Sequence, residues 1–448
     1  MKRKEQAISL ISVVILALVL PGFLRLANNA VRSIAGAEGR LAAITVETDR
    51  IIGPIPRVWA ALAQGGDELK TFLDRDQEKI ARIRPEYIRI DHIYDQFGVV
   101  KRDGAGKLTY DWRELDSLID KIASAGAKPF LSLSYMPEVM ASGDMVSTPK
   151  NWTEWGELVK ATVEHYSGEK GIENVYYEVW NEPDLFGKWK MGGSKDYKDL
   201  YMYAARGAAA AKGVAPFKIG GPATTGLYRA WVDKFFPFIL ENKLRLDFVS
   251  WHRYDLDINK YVSDADSVDK WLDSHPYFAN VEKIVSEMGP KSEAGGENET
   301  MAGAAHLVAS ARELMFKIKY GFNFAVTGSW GVINKPRGAA LEMLAGLGSQ
   351  RLSVSGEGSW VRAIGAMKNN VYQVVLTNFD PKGTHSEVVP VTFIRLSGNN
   401  WQLRKTLLGG PTTVTEIATT SAMIQREIPM QPNTVVLLEL EPKTVTRL

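Results

Sequence analysis

Cysteine is absent from the 448-residue sequence, which excludes disulfides, thiolate metal ligands, a catalytic thiol and a lipid-modified N-terminal cysteine. An excess of charge of one sign is absent too. Lys plus Arg number 54 against 52 Asp plus Glu, a net charge of +2, so the composition gives no electrostatic ground for nucleic acid as a partner. No glycine-rich loop of the phosphate-cradling kind occurs, and no metal-ligand spacing, so neither a cofactor nor a metal is expected. Hydrophobic residues at 45% and charged residues at 24% are ordinary for a globular chain with an ample core.

Long apolar runs are also scarce, with one exception. Lys2, Arg3 and Lys4 precede an apolar to weakly polar run from Ala7 to Leu20 that continues past Pro21-Gly22 into Phe23-Leu24. A basic start ahead of such a core is an export signal. Ala35-Gly36-Ala37 lies far downstream for a cleavage site, which favours an uncleaved membrane anchor slightly over a removed signal peptide. Residues 1–40 are therefore expected to be a signal or anchor plus linker, with the protein at the periplasmic or extracellular face.

One stretch organises the remainder of the sequence. Val175, Tyr177 and Val179 make a short β-rich run that ends in Trp180-Asn181-Glu182-Pro183-Asp184, a strand delivering Asn181 and Glu182 at its C-terminal tip. The run from Val281 to Pro290 has the same grammar, an apolar strand, then Glu287, then Gly289 and Pro290. Two strand-tip glutamates that face one another can serve as proton donor and nucleophile on a glycosidic bond.

The other segments supply the frame for those two tips. Strand-like segments at Arg57–Ala63, Tyr87–His92, Lys128–Ser134, Lys218–Pro222, Asp247–Tyr254 and Phe324–Thr327 alternate with amphipathic helices, such as the one marked by Trp112, Leu115, Leu118, Ile119 and Ile122. With the two glutamate strands this makes eight alternations, the requirement of a (β/α)8 TIM barrel over residues 51–348. Beyond Leu347 helical periodicity stops, and short strands separated by turns such as Ser397-Gly398-Asn399-Asn400 predict a β-sandwich. Residues 41–50, with a strand at Ala42–Val46, are expected to complete that sandwich with residues 349–448.

The motifs carry a resemblance. Trp180-Asn181-Glu182-Pro183-Asp184 and the later Ser286-Glu287-Met288-Gly289 resemble clan A glycoside hydrolases, which place acid/base and nucleophile on barrel strands four and seven. More narrowly the chain is similar to glycoside hydrolase family 39, including its β-xylosidases and bacterial exopolysaccharide-cleaving members. Tyr87-Ile88-Arg89, Pro129–Pro137 with Tyr135 at the strand tip, Gly220–Ala223, Phe248–His252 and Lys335-Pro336 fit the same pattern. The resemblance implies Arg89 bracing the glutamates and Trp189 lining the sugar site. Ile93 after His92 and Met288 after Glu287 depart from the xylosidase pattern; both bear on substrate rather than on mechanism.

The expected function is a retaining glycosidase acting on an extracellular or periplasmic polysaccharide or oligosaccharide, with Glu182 as acid/base and Glu287 as nucleophile. The charge of Glu287 is expected to raise the pKa of Glu182. Asn181, Arg89, His92, Tyr135, His252 and Tyr254 are the expected substrate-binding or orienting groups. Trp189 and Trp330, among twelve tryptophans, are candidate stacking platforms. An exo-acting β-xylosidase-like enzyme and an endo-acting exopolysaccharide hydrolase both fit, with a tethered chain favouring the second. A non-catalytic polysaccharide-binding or assembly protein on the same barrel is the reading from another class.

Overall fold

The computed structural model describes residues 39–443. The expected anchor or signal therefore lies outside the described residues. Among the described residues, no helix is long and apolar enough to cross a membrane.

In chain order, β1 (Ile44–Pro54) is followed by β2 (Ala61–Gln64), α1 (Phe72–Ile83) and β3 (Tyr87–Ile90), then a small hairpin of β4 (Val100–Arg102) and β5 (Leu108–Tyr110). Next come α2 (Arg113–Ser124), β6 (Lys128–Leu133), α3 (Trp152–Val163), β7 (Val175–Val179), α4 (Tyr197–Ala210), β8 (Phe217–Thr224) and α5 (Arg229–Glu241). The barrel ends with β9 (Phe248–Tyr254), α6 (Ile258–Leu272), β10 (Glu282–Gly289), α7 (Met301–Leu314), β11 (Tyr320–Phe324) and α8 (Pro336–Ala345). Strands β2, β3, β6, β7, β8, β9, β10 and β11 close into one parallel barrel. The eighth barrel strand ends at Phe324, so Ala325 to Thr327, expected as strand, belongs to the loop above it.

Local sequence accounts for the helices. In α2 the buried residues are Leu115, Leu118, Ile119 and Ile122, one stripe at helical spacing. Asn151, Asp196 and Asp257 each cap a helix, their side chains accepting from the backbone N–H two residues on.

Inside the barrel the strands alternate faces. Tyr87, Phe130, Tyr176, Phe248, Phe322 and Tyr320 fill one apolar layer, with ring centroids as close as 4.7 Å for Phe130 and Phe322. Two residues further along two of those strands, Arg89 and Glu178 point to the same interior and carry the next layer, which is polar and buried. The barrel interior is therefore apolar below and polar above.

The remaining strands are β12 (Gln350–Ser355), β13 (Val361–Lys368), β14 (Val371–Asn378), β15 (Glu387–Ile394), β16 (Asn400–Leu407), β17 (Thr412–Ala418), β18 (Met423–Met430) and β19 (Thr434–Pro442). They bond with β1 in the order β17-β16-β19-β14-β13-β12-β1-β15-β18. Val391 and Ile424 from one end of this order share a single core with Leu403 and Leu438 from the other. The sheet thus folds over itself as a sandwich. β1 sits between β12, antiparallel, and β15, parallel with Ile44 opposite Val391. The N-terminal strand completes the C-terminal module as expected.

Candidate active site

The C-terminal ends of the barrel strands surround a cavity of about 850 Å³, the size range of small-molecule sites. Glu182 and Glu287 both line it, with Asp91, His92, Tyr135, Asn181, Tyr254 and Trp330.

Two departures from regular backbone aim the glutamates. In β10 the pairing with β9 slips by one residue, so Val285 faces Trp251 but Glu287 faces His252. Strict alternation would put Glu287 on the opposite side from Ile284, which belongs to the interior layer; the slip at Ser286 returns Glu287 to the interior. After β7, Trp180 and Glu182 adopt left-handed φ values of 72° and 45°. Glu182 N–H donates to the Ala223 carbonyl at 2.9 Å, and Ala223 itself sits where β8 slips against β9. Such strained residues persist where the surrounding fold over-determines them.

Beneath the cavity Arg89 is fully buried and uses its guanidinium in three directions. Nε donates to Glu178 at 2.7 Å, one terminal nitrogen to Glu287 Oε1 at 2.8 Å, and the other to Asn181 Oδ1 at 2.8 Å. The Tyr254 hydroxyl donates to Glu287 Oε2 at 2.7 Å. The Glu287 carboxylate is thereby held in one orientation by two donors. Asn181 is committed too, its Nδ2 donating to the Tyr135 hydroxyl at 2.9 Å and to Asp91 at 3.3 Å.

His252 is 0% exposed and stands between the two glutamates. Its Nδ1 lies 2.9 Å from Glu182 Oε1 and 3.5 Å from Glu287 Oε2. Burial opposes a charge on the imidazole, but Glu287 and the bond to Glu182 outweigh it and raise the His252 pKa. The reverse holds for Glu182. Burial raises its pKa, while the hydrogen bond and charge of His252, then Arg89, overcome this and lower it. The expectation that Glu287 lifts Glu182 is thus corrected: the direct partner of Glu182 is His252, whose hydrogen bond lowers the Glu182 pKa. The Nδ1–Oε1 contact couples the two groups, so they take up and release protons as a pair.

Arg89, expected to brace the glutamates, is completely buried and bonds Glu287 and Glu178. His252, equally buried, lies against both Glu182 and Glu287. One expected sugar-site residue is placed elsewhere. Trp189 is 2% exposed and packs edge-on to Trp180 at 5.4 Å, supporting the strand tip from behind because its loop folds back onto α3. Trp330 is 40% exposed on the cavity wall, its indole N–H tied to the Ser292 carbonyl at 2.8 Å. Tyr135, Tyr254, His92 and Asn181 are at the cavity.

Sequence reading missed Glu178, Asp91, Glu68 and the exposed rim residues Phe186 and Tyr228. Glu178 had a signal: an acid in the middle of the apolar run Val175–Val179 must find a buried cation. Phe186 had one too, because Asp184, Phe186 and Trp189 fit the loop after the family's acid/base, whereas nothing local marked Tyr228.

Among the described residues, Glu182, His252 and Glu287 have donor atoms within 4.8 Å of one another. Both oxygens of Glu287 are already engaged, with Arg89 and Tyr254, and His252 Nδ1 with Glu182 Oε1.

A family model described as glycosyl hydrolases family 39 matches residues 43–292. The chain belongs to glycosyl hydrolases family 39. This family 39 chain is 33% identical over 232 residues to a β-xylosidase of Caldicellulosiruptor saccharolyticus, covering 48% of this chain and 46% of that one. It is 34% identical over 201 residues to a β-xylosidase of Geobacillus stearothermophilus, covering 41% and 39%. Both alignments span less than half of the relative. The fold is similar along nearly its whole described length to a crystal structure of a monomeric β-xylosidase from Caulobacter crescentus CB15, with TM-score 0.75, 24% identity, and coverage of 90% of this chain and 100% of that one.

Proposed function

We propose that this family 39 chain is a retaining glycosidase whose acid/base is Glu182 and whose nucleophile is Glu287, acting on xyloside-like substrates. One observation carries the reading. A carboxylate oxygen of Glu182 and one of Glu287 lie within 4.8 Å on the wall of one cavity. Retaining enzymes hold the two groups about 5 to 5.5 Å apart, whereas inversion needs about 6.5 to 9.5 Å to admit a water.

Glu287, oriented by Arg89 and Tyr254, attacks the anomeric carbon, and the leaving oxygen takes the proton shared by Glu182 and His252. Once Glu287 is esterified, its charge no longer favours the imidazolium. Glu182 then accepts a proton from the water that releases the sugar.

The xyloside preference draws on the two β-xylosidase relatives, and it puts that reading ahead of an exopolysaccharide substrate. Export, supported by the basic start and apolar run of residues 2–24, would place the reaction outside the cytoplasm. The test is hydrolysis of aryl β-xylosides and of soluble polysaccharides by the wild type, Glu182→Gln and Glu287→Gln. Each variant should fold and lose about 10²- to 10⁴-fold in kcat/KM, and NMR of the first-formed sugar should show the substrate's anomer. Inverted product, or variants as active as wild type, would remove the assignment; polymer binding without cleavage would favour a binding protein.

A further inference from the structure

Asp91 follows β3 on the cavity wall and is 4% exposed. Buried carboxylates are ordinarily held by a cation or by several N–H donors. Among the described residues, Asp91 Oδ2 has one long bond, 3.3 Å from Asn181 Nδ2, and Oδ1 has no partner. Arg89, two positions back along the chain, spends its donors on Glu178, Glu287 and Asn181. The fold nevertheless makes room for this carboxylate. Gly65, just past β2, faces it so closely that a Cβ there would lie 2.7 Å from both oxygens.

Resting on the glycosidase reading, we infer that Asp91 is a specificity-determining residue that accepts a free hydroxyl of an uncharged sugar and excludes sugars bearing a carboxylate. The acceptor capacity left over on Asp91 matches what a sugar hydroxyl offers, a donor with a short reach. The charge on the wall supports the second half. Glu68, Asp91 and Asp184 line the cavity in addition to the two reacting glutamates. Among the described residues that line it, the cationic groups are His92 and Arg253, paired with Asp95 at 2.7 Å and with Asp264 at 2.6 Å. A uronic acid would bring a further negative charge to a wall whose cations already face carboxylates. Burial raises the Asp91 pKa to about 6 against the opposing charges of His92 and Arg89, so the group is mostly ionised at neutral pH and is an acceptor there.

The test compares aryl β-xyloside, its 2-, 3- and 4-deoxy analogues and an aryl β-glucuronide on wild type and Asp91→Asn. Wild type should lose roughly 10- to 100-fold in kcat/KM on one deoxy analogue, the worth of a hydrogen bond to a charged group. That analogue should be no worse on Asp91→Asn than the parent sugar is, the signature of a shared contact. The glucuronide should be turned over at least 100-fold more slowly than the xyloside by wild type. Equal losses on every analogue, or glucuronide cleavage within tenfold of xyloside, would overturn the inference. The substrate-side comparison uses wild type alone, so a folding defect in the variant does not mask it. If wild type cleaves none of these substrates, the glycosidase reading fails separately, and calorimetric binding of methyl xyloside and methyl glucuronide decides. Tight xyloside binding that weakens in Asp91→Asn supports the inference, and equal affinity for the two sugars removes it.

Discussion

At the scale of single residues, the site is governed by His252. The imidazole is buried between two carboxylates, and its raised pKa means that the stabilising charge is fully present below the ordinary histidine value of about 6.5 and is lost as pH climbs through the raised value. On the proposed mechanism, the proton held by His252 and Glu182 is the one that protonates the leaving group. The alkaline limb of kcat/KM is therefore expected above about 6.5. In His252→Gln the amide still donates to Glu182 but carries no ionisable proton, so the limb should move to lower pH while KM changes little. Each unit of movement lowers the competent fraction above the limb about tenfold. A pH–rate profile that superimposes on wild type would show that another group holds this proton.

At the scale of elements, strand tips are precise because the helices behind them are tightly packed. α3 and α4 approach through two glycines. A Cβ on Gly207 would lie 2.1 Å from the Gly156 carbonyl oxygen, and one on Gly156 would lie 3.1 Å from the Tyr203 carbonyl. These helices flank β7, which delivers Asn181 and Glu182. Gly207→Ala should cost roughly 1–3 kcal/mol from overpacking, despite the better helix propensity of alanine, and should lower kcat through a shifted Glu182. Thermal melts and steady-state rates check both. A variant as stable and as active as wild type would mean that the two helices separate freely without disturbing the strand they flank.

At the scale of the molecule, the sandwich is part of the barrel's support. α7 packs with Ala304, Ala305, Val308 and Ala311 buried, and β13, β14 and β19 lie against it. Thr377 donates to the Ala305 carbonyl at 3.3 Å. Arg312 pairs with Glu357 at 2.7 Å, and Arg362 pairs with Glu313. Because β1 is paired into the sandwich just before the barrel starts, removing the module strips both partners from β1 as well as the cover from α7. A truncated chain of residues 41–348 is expected to lose its cooperative thermal transition and to bind a hydrophobic dye. A sharp transition within a few degrees of the whole protein would show instead that the barrel stands alone.

What the sequence determined by itself is periodic and local. Alternating strands and helices, the loss of helical spacing after Leu347, and the two glutamates closing apolar strands all arise from short-range patterns. The partnership of β1 with the C-terminal strands was legible because a lone strand leaves its backbone groups unpaired. The tertiary structure decided how the polar groups face one another. Parity along β10 points Glu287 away from the interior until the slip at Ser286 reverses it, and periodicity does not contain that slip. Trp189 stands behind the strand tip rather than in the cavity, and His252 is buried between the two glutamates, because burial depends on segments far apart in the chain. The same holds for Asp91, whose surroundings are set by Gly65, just past the neighbouring strand β2, and by donors that Arg89 spends elsewhere.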